Sequence, residues 1–429
     1  MIRRQHSMSS GRSSASSNPQ LPFFIARQPI YDRYRQVHAY EMLFRGLEDT
    51  GEAHFVDGTT ATAQLITQGW LLGGFDSLAD GRWVFVNFTR ELLVGGTALL
   101  FNPARDVVEV LEDIPADRSV LESCRSLREA GYRVALDDVE RVERIEQFDG
   151  AVTMAKIDFT NVKVDDLAEI VRTAQVQRVE LLAEKIETIE TLRLAEGYGF
   201  DYFQGYYLSR PESMQRPVLP GLSPAHAQLL EVVTQRKLDA DAVTEAVQAD
   251  PSLTYKLLRT ANSVAYSQNR RIRTVHDAVV LFGEDEIRRA ALFVVLGAIL
   301  DDSNELLHES VTLARMCDGI GQRLDISPDE QAEFYMVGML SSIDTLLGEP
   351  MADAVGRLPL SDGVTRALVR GEGPAATALQ VAKTYLRAQW DDVLVEAAKL
   401  ELESSELAAM YLRAIAQSDT QMAQMADAA

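Results

Sequence analysis

Six short apolar runs, each carrying a polar side chain at or near its end, limit the possible folds of this chain more than any other feature. They are Val84–Asn87, Val107–Glu112, Val134–Val139, Met154–Asp158, Leu181–Glu184 and Asp201–Gln204. Segments with helical spacing separate several of them: Ser119 to Tyr132, Val164 to Val179 and Thr188 to Tyr198. Alternating strand and helix patterns point to a mostly parallel sheet covered by helices. Polar residues gathered at successive strand ends point to a (β/α) barrel with its site at that face. The third run, Val134-Ala-Leu-Asp137-Asp138-Val139, delivers two adjacent carboxylates. Neighbouring strand residues face opposite ways, so both can reach one ion only if the strand stops there and the chain turns.

Two further strands are predicted ahead of these runs, over Phe23 to Tyr31 and Val37 to Arg45, with Glu41 and Arg45 as the notable charges of the second. A helix is predicted over Thr59 to Leu72. Pro211, Pro217, Pro220 and Pro224, with Gly221, mark a stiff connection. Beyond it the spacing is helical: Ala225–Arg236, Ala240–Ala249, Ser252–Asn262, Val275–Leu281, Glu284–Leu300, Asn304–Leu324, Pro328–Leu347 and Ala376–Gln417, the last holding more than one helix. Asp250-Pro251 supplies an N-cap and a first-turn proline. The expected fold class is therefore α/β plus all-α, a TIM-like barrel followed by an all-helical domain. The expected boundaries are a Ser/Arg-rich disordered tail over 1–20, the barrel over 21–212, a linker over 213–223, the helical domain over 224–417 and a frayed end over 418–429.

A length of 429 residues suits two domains. A formal net charge of −22 disfavours nucleic acid and anionic membrane as partners, and leaves any anionic ligand needing a local basic patch or a metal. Cys124 and Cys317 form no metal-ligand pattern and read as reduced buried thiols. The apolar run Ala290 to Leu300 is too short to span a bilayer, and the tail lacks a signal peptide's apolar region. The expected location is cytoplasmic.

Asn87, Glu109, Asp137 and Glu184 are hard oxygen ligands of the kind that hold Mg²⁺ or Mn²⁺. Asp138 suits a second ion or the activation of water, and Lys156 suits a hydroxide or a developing phosphate charge. Such a set fits metal-assisted phosphodiester hydrolysis. The same residues also fit a scaffold in which acids and bases pair at the barrel mouth. His276-Asp277 has no partner histidine nearby and reads as an exposed polar pair.

The front half resembles the EAL domain, the cyclic di-GMP phosphodiesterase domain of bacterial signalling. Glu41-Met-Leu-Phe-Arg45 is similar to its E-A-L-x-R signature, and Asn87, Glu109, Asp137-Asp138, Lys156, Glu184, Glu187 and Gln204-Gly follow in the family's order. The resemblance covers residues 22 to 212 and implies metal ligation by Glu41, Asn87, Glu109, Asp137 and Glu184. It implies a second-metal role for Asp138, water positioning by Lys156 and Gln204, and ligand contacts from Arg45 and Glu187. Two departures stand out. The Gly- and Ser-rich loop after the Asp-Asp pair, which couples metal binding to dimerisation in the family, is replaced by Val139-Glu-Arg-Val-Glu-Arg-Ile-Glu146, and the Gly after the later acidic residue is Lys185.

The back half resembles the HDOD domain, a relative of HD phosphohydrolases without the metal site. Asp250 to Leu258, Asn262-Ser263 and Ala278 to Gly283 carry that resemblance. Ser341-Ser342 stand where the enzymes have His-Asp, and His308 is the vestige of an upstream ligand. No cofactor is expected in this half. Asn262-Ser263 reads as a ligand or partner contact or as a helix cap. The combination implies a signalling protein of the EAL–HDOD type, linked to motility and biofilm behaviour. The leading expectation is an adaptor acting through protein partners, with a degenerate EAL half that binds cyclic di-GMP weakly or not at all and with a homodimer among the assemblies it admits. The alternative is an active cyclic di-GMP phosphodiesterase.

Overall fold

Short connections decide the first feature of the fold. Four residues separate the first two strands, and so tight a link can join only antiparallel neighbours. The carboxylate of Asp32 closes that turn by accepting from the backbone N–H groups of Tyr34 and Gln36. The computed structural model describes residues 23–46, 78–208, 224–235, 237–250, 253–259, 272, 274, 277–278, 281, 283–299, 304–324 and 326–426. The tail over 1–20, the helix predicted over 59–72, the linker over 213–223, Asn262-Ser263 and His276 lie outside the described residues.

Eight strands close into a barrel in sequence order: β1 (Phe23–Asp32), β2 (Val37–Gly46), β3 (Trp83–Phe88), β4 (Asp106–Val110), β5 (Arg133–Leu136), β6 (Met154–Asp158), β7 (Glu180–Glu184) and β8 (Tyr202–Phe203). β1 runs antiparallel to both neighbours, and the remaining neighbours are parallel. Among the described residues five helices follow the strands: α1 (Arg90–Val94), α2 (Arg118–Glu129), α3 (Val142–Gln147), α4 (Val164–Gln177) and α5 (Ile189–Tyr198). Their starts are readable in the sequence. Asp117 caps α2 by accepting from the N–H groups of Ser119 and Val120, and Thr188 caps α5 with Thr191 reciprocating. The lumen is plugged by one layer of apolar side chains, Ile30, Ala39, Phe85, Val107, Ala135, Met154 and Leu182, with Tyr202 packed against them.

The second half is helical: α6 (Pro224–Val233), α7 (Ala240–Gln248), α8 (Glu284–Ile299), α9 (Asn304–Gly321), α10 (Pro328–Met339), α11 (Ile343–Leu347), α12 (Met351–Gly356), α13 (Asp362–Arg370), α14 (Pro374–Leu386), α15 (Trp390–Ala398) and α16 (Ser404–Ala426). α9 packs against α10, α14 and α16. The crossing with α10 is close: a Cβ on Gly338 would lie 2.4 Å from Ala314 Cα. Three expectations are corrected. The single helix expected over Pro328–Leu347 breaks at Leu340–Ser342 into α10 and α11. α12 and α13 were not anticipated, being short and separated by loops. The end expected to fray over 418–429 is helical through Ala426, with Ser418 fully buried.

β1 belongs to both halves. β8 pairs with β1 only at Tyr31 and Asp32, and β3 pairs with β2 only over Ala39 to Met42, so the far end of the β1–β2 ribbon projects past the barrel. The helical half grips that end. Phe24 stacks on Trp390 with ring centroids 5.3 Å apart and meets Tyr385 edge-on at 5.6 Å. The hydroxyls of Tyr385 and Tyr411 accept from the N–H groups of Ile25 and Arg27 at 3.3 and 3.0 Å. The buried Arg27 guanidinium donates to both Asp419 oxygens at 2.7 and 3.2 Å and to the Leu78 carbonyl, and lies 3.0 Å from His308 Nε2. His308 Nε2 is itself 2.7 Å from Asp419 Oδ1. The residue read as a vestigial ligand therefore forms part of the clamp between the halves. Ser341 is buried, and Ser342 half-buried, at the start of α11.

Candidate metal centre at the barrel mouth

Two residues along a strand return a side chain to the same face. Stepping two residues toward the mouth from each plug residue gives Gln28, Glu41, Asn87, Glu109, Asp137, Lys156, Glu184 and Gln204. These eight polar side chains form one layer resting on the apolar plug. On β1 the step runs backwards along the chain, from Ile30 to Gln28, because that strand is antiparallel. Gln28 was not singled out by sequence, and the signal was available only to a reader who reversed the first strand. Glu41, Glu109, Lys156, Glu184 and Gln204 are buried, Glu109 fully and Lys156 to 1% exposure, and Gln28, Asn87 and Asp137 are half-buried.

Lys156 stands at its centre. Its Nζ is 2.9 Å from Glu109 Oε1, 2.9 Å from Asp137 Oδ1, 3.0 Å from Glu184 Oε1 and 3.3 Å from Glu41 Oε1. Burial pulls the ammonium down, but the surrounding carboxylates, led by Glu109, outweigh it and hold it well above its ordinary value. Burial pushes the Glu109 carboxyl well up, against Lys156 and with Glu41 and Asp137. Glu184 is pushed up to about 8, by burial first, against Lys156 and with Asp137 and Glu41 adding to the rise. One ammonium thus stands among four carboxylates. Gln204 Nε2 donates to Glu41 Oε2 at 2.8 Å and to Gln28 Oε1 at 3.3 Å, and Asn87 Nδ2 donates to Glu41 Oε1 at 3.4 Å.

β5 ends at Leu136, and Asp138 takes a left-handed φ of 43°. The chain turns where the adjacent carboxylates require it to. One oxygen each of Asp137, Asp138 and Glu184 lies within 4.8 Å of the others. Asp138 is half-buried, and burial with the Asp137 charge raises its carboxyl against Lys185. The residues fit a divalent cation on the chemistry of the donor set and on orphaned acceptors. Glu109 Oε2, Glu184 Oε2 and Gln204 Oε1 are buried with no hydrogen-bond donor among the described residues. Such acceptors cost free energy until a proton or a cation meets them.

Not every expected residue joins the layer. Arg45 lies on the projecting ribbon and pairs with Asp391 of α15 at 2.9 Å. Glu187 is exposed on the connection to α5. The segment after Asp138 is helix α3, pinned by the Arg144 guanidinium, which donates to the Ile114 and Leu111 carbonyls at 2.7 and 2.9 Å. Gln204 is held by its neighbour. Gly205 has φ 151°, and a Cβ there would lie 2.3 Å from the Ile186 nitrogen.

Comparison with known proteins matches residues 76–211 to the EAL domain and residues 219–352 to the HDOD domain. The chain is 31% identical over 377 residues to the uncharacterized protein YuxH of Bacillus subtilis, covering 86% of this chain and 91% of that one. It is 32% identical over 377 residues to the cyclic di-GMP phosphodiesterase CdgJ of Vibrio cholerae, covering 86% of each. Among solved structures, the Bacillus subtilis YkuI protein, with an EAL domain, in complex with cyclic di-GMP and calcium, matches 44% of this chain and 55% of its own at 24% identity and a TM-score of 0.37. No helix among the described residues is long and apolar enough to cross a membrane. With both halves matched in order and relatives similar across most of its length, this chain belongs to the EAL–HDOD family of signalling proteins.

Proposed function

We propose that the barrel hydrolyses cyclic di-GMP to the linear dinucleotide with a divalent cation, Mg²⁺ or Mn²⁺, held by Glu41, Asn87, Glu109, Asp137 and Glu184. The observation that carries this reading is the layer in which Glu41, Glu109, Asp137 and Glu184 converge from four strand ends around Lys156, beside Asn87, and leave acceptors unfilled. The cyclic di-GMP phosphodiesterase among the relatives supports the choice of substrate. When bound, the cation supplies Lewis acidity and a water acidic enough to attack phosphorus near neutral pH. The chain's own residues do the rest. Lys156 stays charged and places a fixed positive charge beneath the phosphate. Gln204 and Asn87 orient Glu41 through their amide N–H groups. Asp138, raised by burial and by Asp137, is suited to take a proton from the attacking water.

An adaptor acting through protein partners is the second reading. It is favoured by the pinned helix α3 where the family has a flexible Gly-rich loop, and by the engagement of Arg45 with Asp391. One experiment separates the two. The full chain is incubated with cyclic di-GMP and Mn²⁺, and the products are separated by chromatography, with Glu41→Ala alongside. Linear dinucleotide that disappears in Glu41→Ala supports the enzyme. No product, or product unchanged in the variant, removes it and leaves the adaptor.

A further inference from the structure

Lys185 puts a charge where the family has glycine. It follows Glu184 directly, just past the end of β7, and it holds a left-handed φ of 54°, which an L side chain rarely adopts. Asp138, facing it from the end of β5, is also left-handed at 43°. Two strand ends thus accept backbone strain to bring an ammonium toward a carboxylate. The Lys185 Nζ lies 2.5 Å from Asp158 Oδ2 and 3.9 Å from Asp138 Oδ1.

Asp158, fixed at the end of β6, has little left to offer a metal. Its Oδ1 accepts from the Thr160 N–H at 2.7 Å and the Thr160 hydroxyl at 2.6 Å. Its Oδ2 accepts from Asn161 Nδ2 at 2.9 Å and from Lys185. It acts as an anchor that holds the lysine, and its side chain is 1% exposed. Asp138, the carboxylate that Lys185 approaches, also forms with Asp137 and Glu184 a trio that could close on an ion. Paired catalytic ions stand about 3.5–4 Å apart and share ligands. A second divalent ion held by this trio, beside the one in the cage, would have to share Asp138 with a resident ammonium of the same sign.

We propose that Lys185 is a built-in cation replacing a second metal ion beside Asp138, so that the barrel mouth works with one divalent ion and one ammonium. The inference rests on the metal-site reading above and adds to it the number of ions and the source of the second charge. Lys185 is placed here as a positioning residue, acting through Asp138 on the charge that faces a bound phosphodiester.

The test is Mn²⁺ stoichiometry on the full chain, by equilibrium dialysis and by electron paramagnetic resonance, where two neighbouring ions give a spin-coupled signal. Wild type is compared with Lys185→Gly, which restores the family residue and relieves the strained φ, and with Lys185→Gln, which removes the charge and keeps a polar side chain one atom shorter. One ion per wild-type chain, and two with a coupled signal in both variants, is the expected result, with the second site at least tenfold tighter than in wild type. Two ions in wild type, or one in both variants, overturns the proposal and leaves the metal-site reading standing. Two ions in Lys185→Gly with one in Lys185→Gln also overturns it, because space and not charge would then exclude the ion. No ion in wild type overturns this inference and the metal-site reading together.

Discussion

Replacing Asp419 with alanine should uncouple the two halves of the molecule at a measurable cost. The Arg27 side chain is 5% exposed and that of Asp419 16%, so the pair is largely withdrawn from water. Removing one partner of a buried pair typically costs about 3–5 kcal/mol, because the remaining charge is left uncompensated. Arg27 keeps the Leu78 carbonyl and sits over the Tyr40 ring at 4.3 Å, which places the expected loss at the low end, about 3 kcal/mol. For a cooperative unit of about 200 residues, the size of one half, that is a fall in Tm of roughly 6–12 °C. Burial raises the Asp419 carboxyl, but the hydrogen bond from His308 and the Arg27 charge outweigh it and hold it below its ordinary value. A depressed carboxylate stabilises the fold above its unfolded pKa and ceases to do so as pH falls through its folded one. The gap between wild type and Asp419→Asn should therefore be full near neutral pH and close progressively below about pH 4. Differential scanning calorimetry across pH reads both quantities. The exposed pair Arg118–Glu122 is the control, and Arg118→Ala should leave Tm unmoved. A drop of less than about 2 °C for Asp419→Ala, or one independent of pH, would refute the idea that this clamp joins the halves.

Other expectations follow from the same geometry. Gly338→Ala drives a Cβ into the backbone of α9 at Ala314, and should lower stability by roughly 1–3 kcal/mol in denaturant titrations with the m-value unchanged. Gly205→Ala forces the chain off Ile186 and should displace Gln204, lowering turnover at least tenfold while near-ultraviolet circular dichroism stays native. Lys156→Met leaves the carboxylates of its cage without their central charge. In chelator this variant should melt well below wild type, and Mn²⁺ should raise its Tm by more than it raises that of wild type; a smaller metal-induced rise in the variant would count against a cage built for cations.

The barrel was legible because its strands are short, apolar and buried, and because each delivers a polar side chain at a fixed step from the plug. Glu41, Asn87, Glu109, Asp137, Lys156, Glu184 and Gln204 all meet in the layer that their positions at the strand ends implied. Gln28 escaped notice because strand direction is set by the turn at Asp32, not by the composition of β1. The clamp is a different case. Arg27 and Asp419 are 392 residues apart, and no local period links a strand at one end of the chain with the last turns of a helix at the other. His308 carried a family resemblance to a lost metal ligand, and its partners turned out to be a carboxylate and a guanidinium from outside its own helix. The same reasoning explains Ser418. Its run is polar enough to look frayed, yet its hydroxyl donates to the His308 carbonyl at 3.2 Å in the core.

The most direct measure of the central claim is a single-turnover reaction, with the full chain in excess over labelled cyclic di-GMP in the presence of Mn²⁺. Enzyme excess makes every nucleotide pass through this protein and bounds what a trace contaminant can contribute. The account predicts complete conversion to linear dinucleotide in wild type, and a rate at least a hundredfold lower in Glu109→Gln, whose amide preserves shape and removes the charge the cation needs. Conversion at the same rate in Glu109→Gln, or no conversion in wild type under saturating metal, would contradict it.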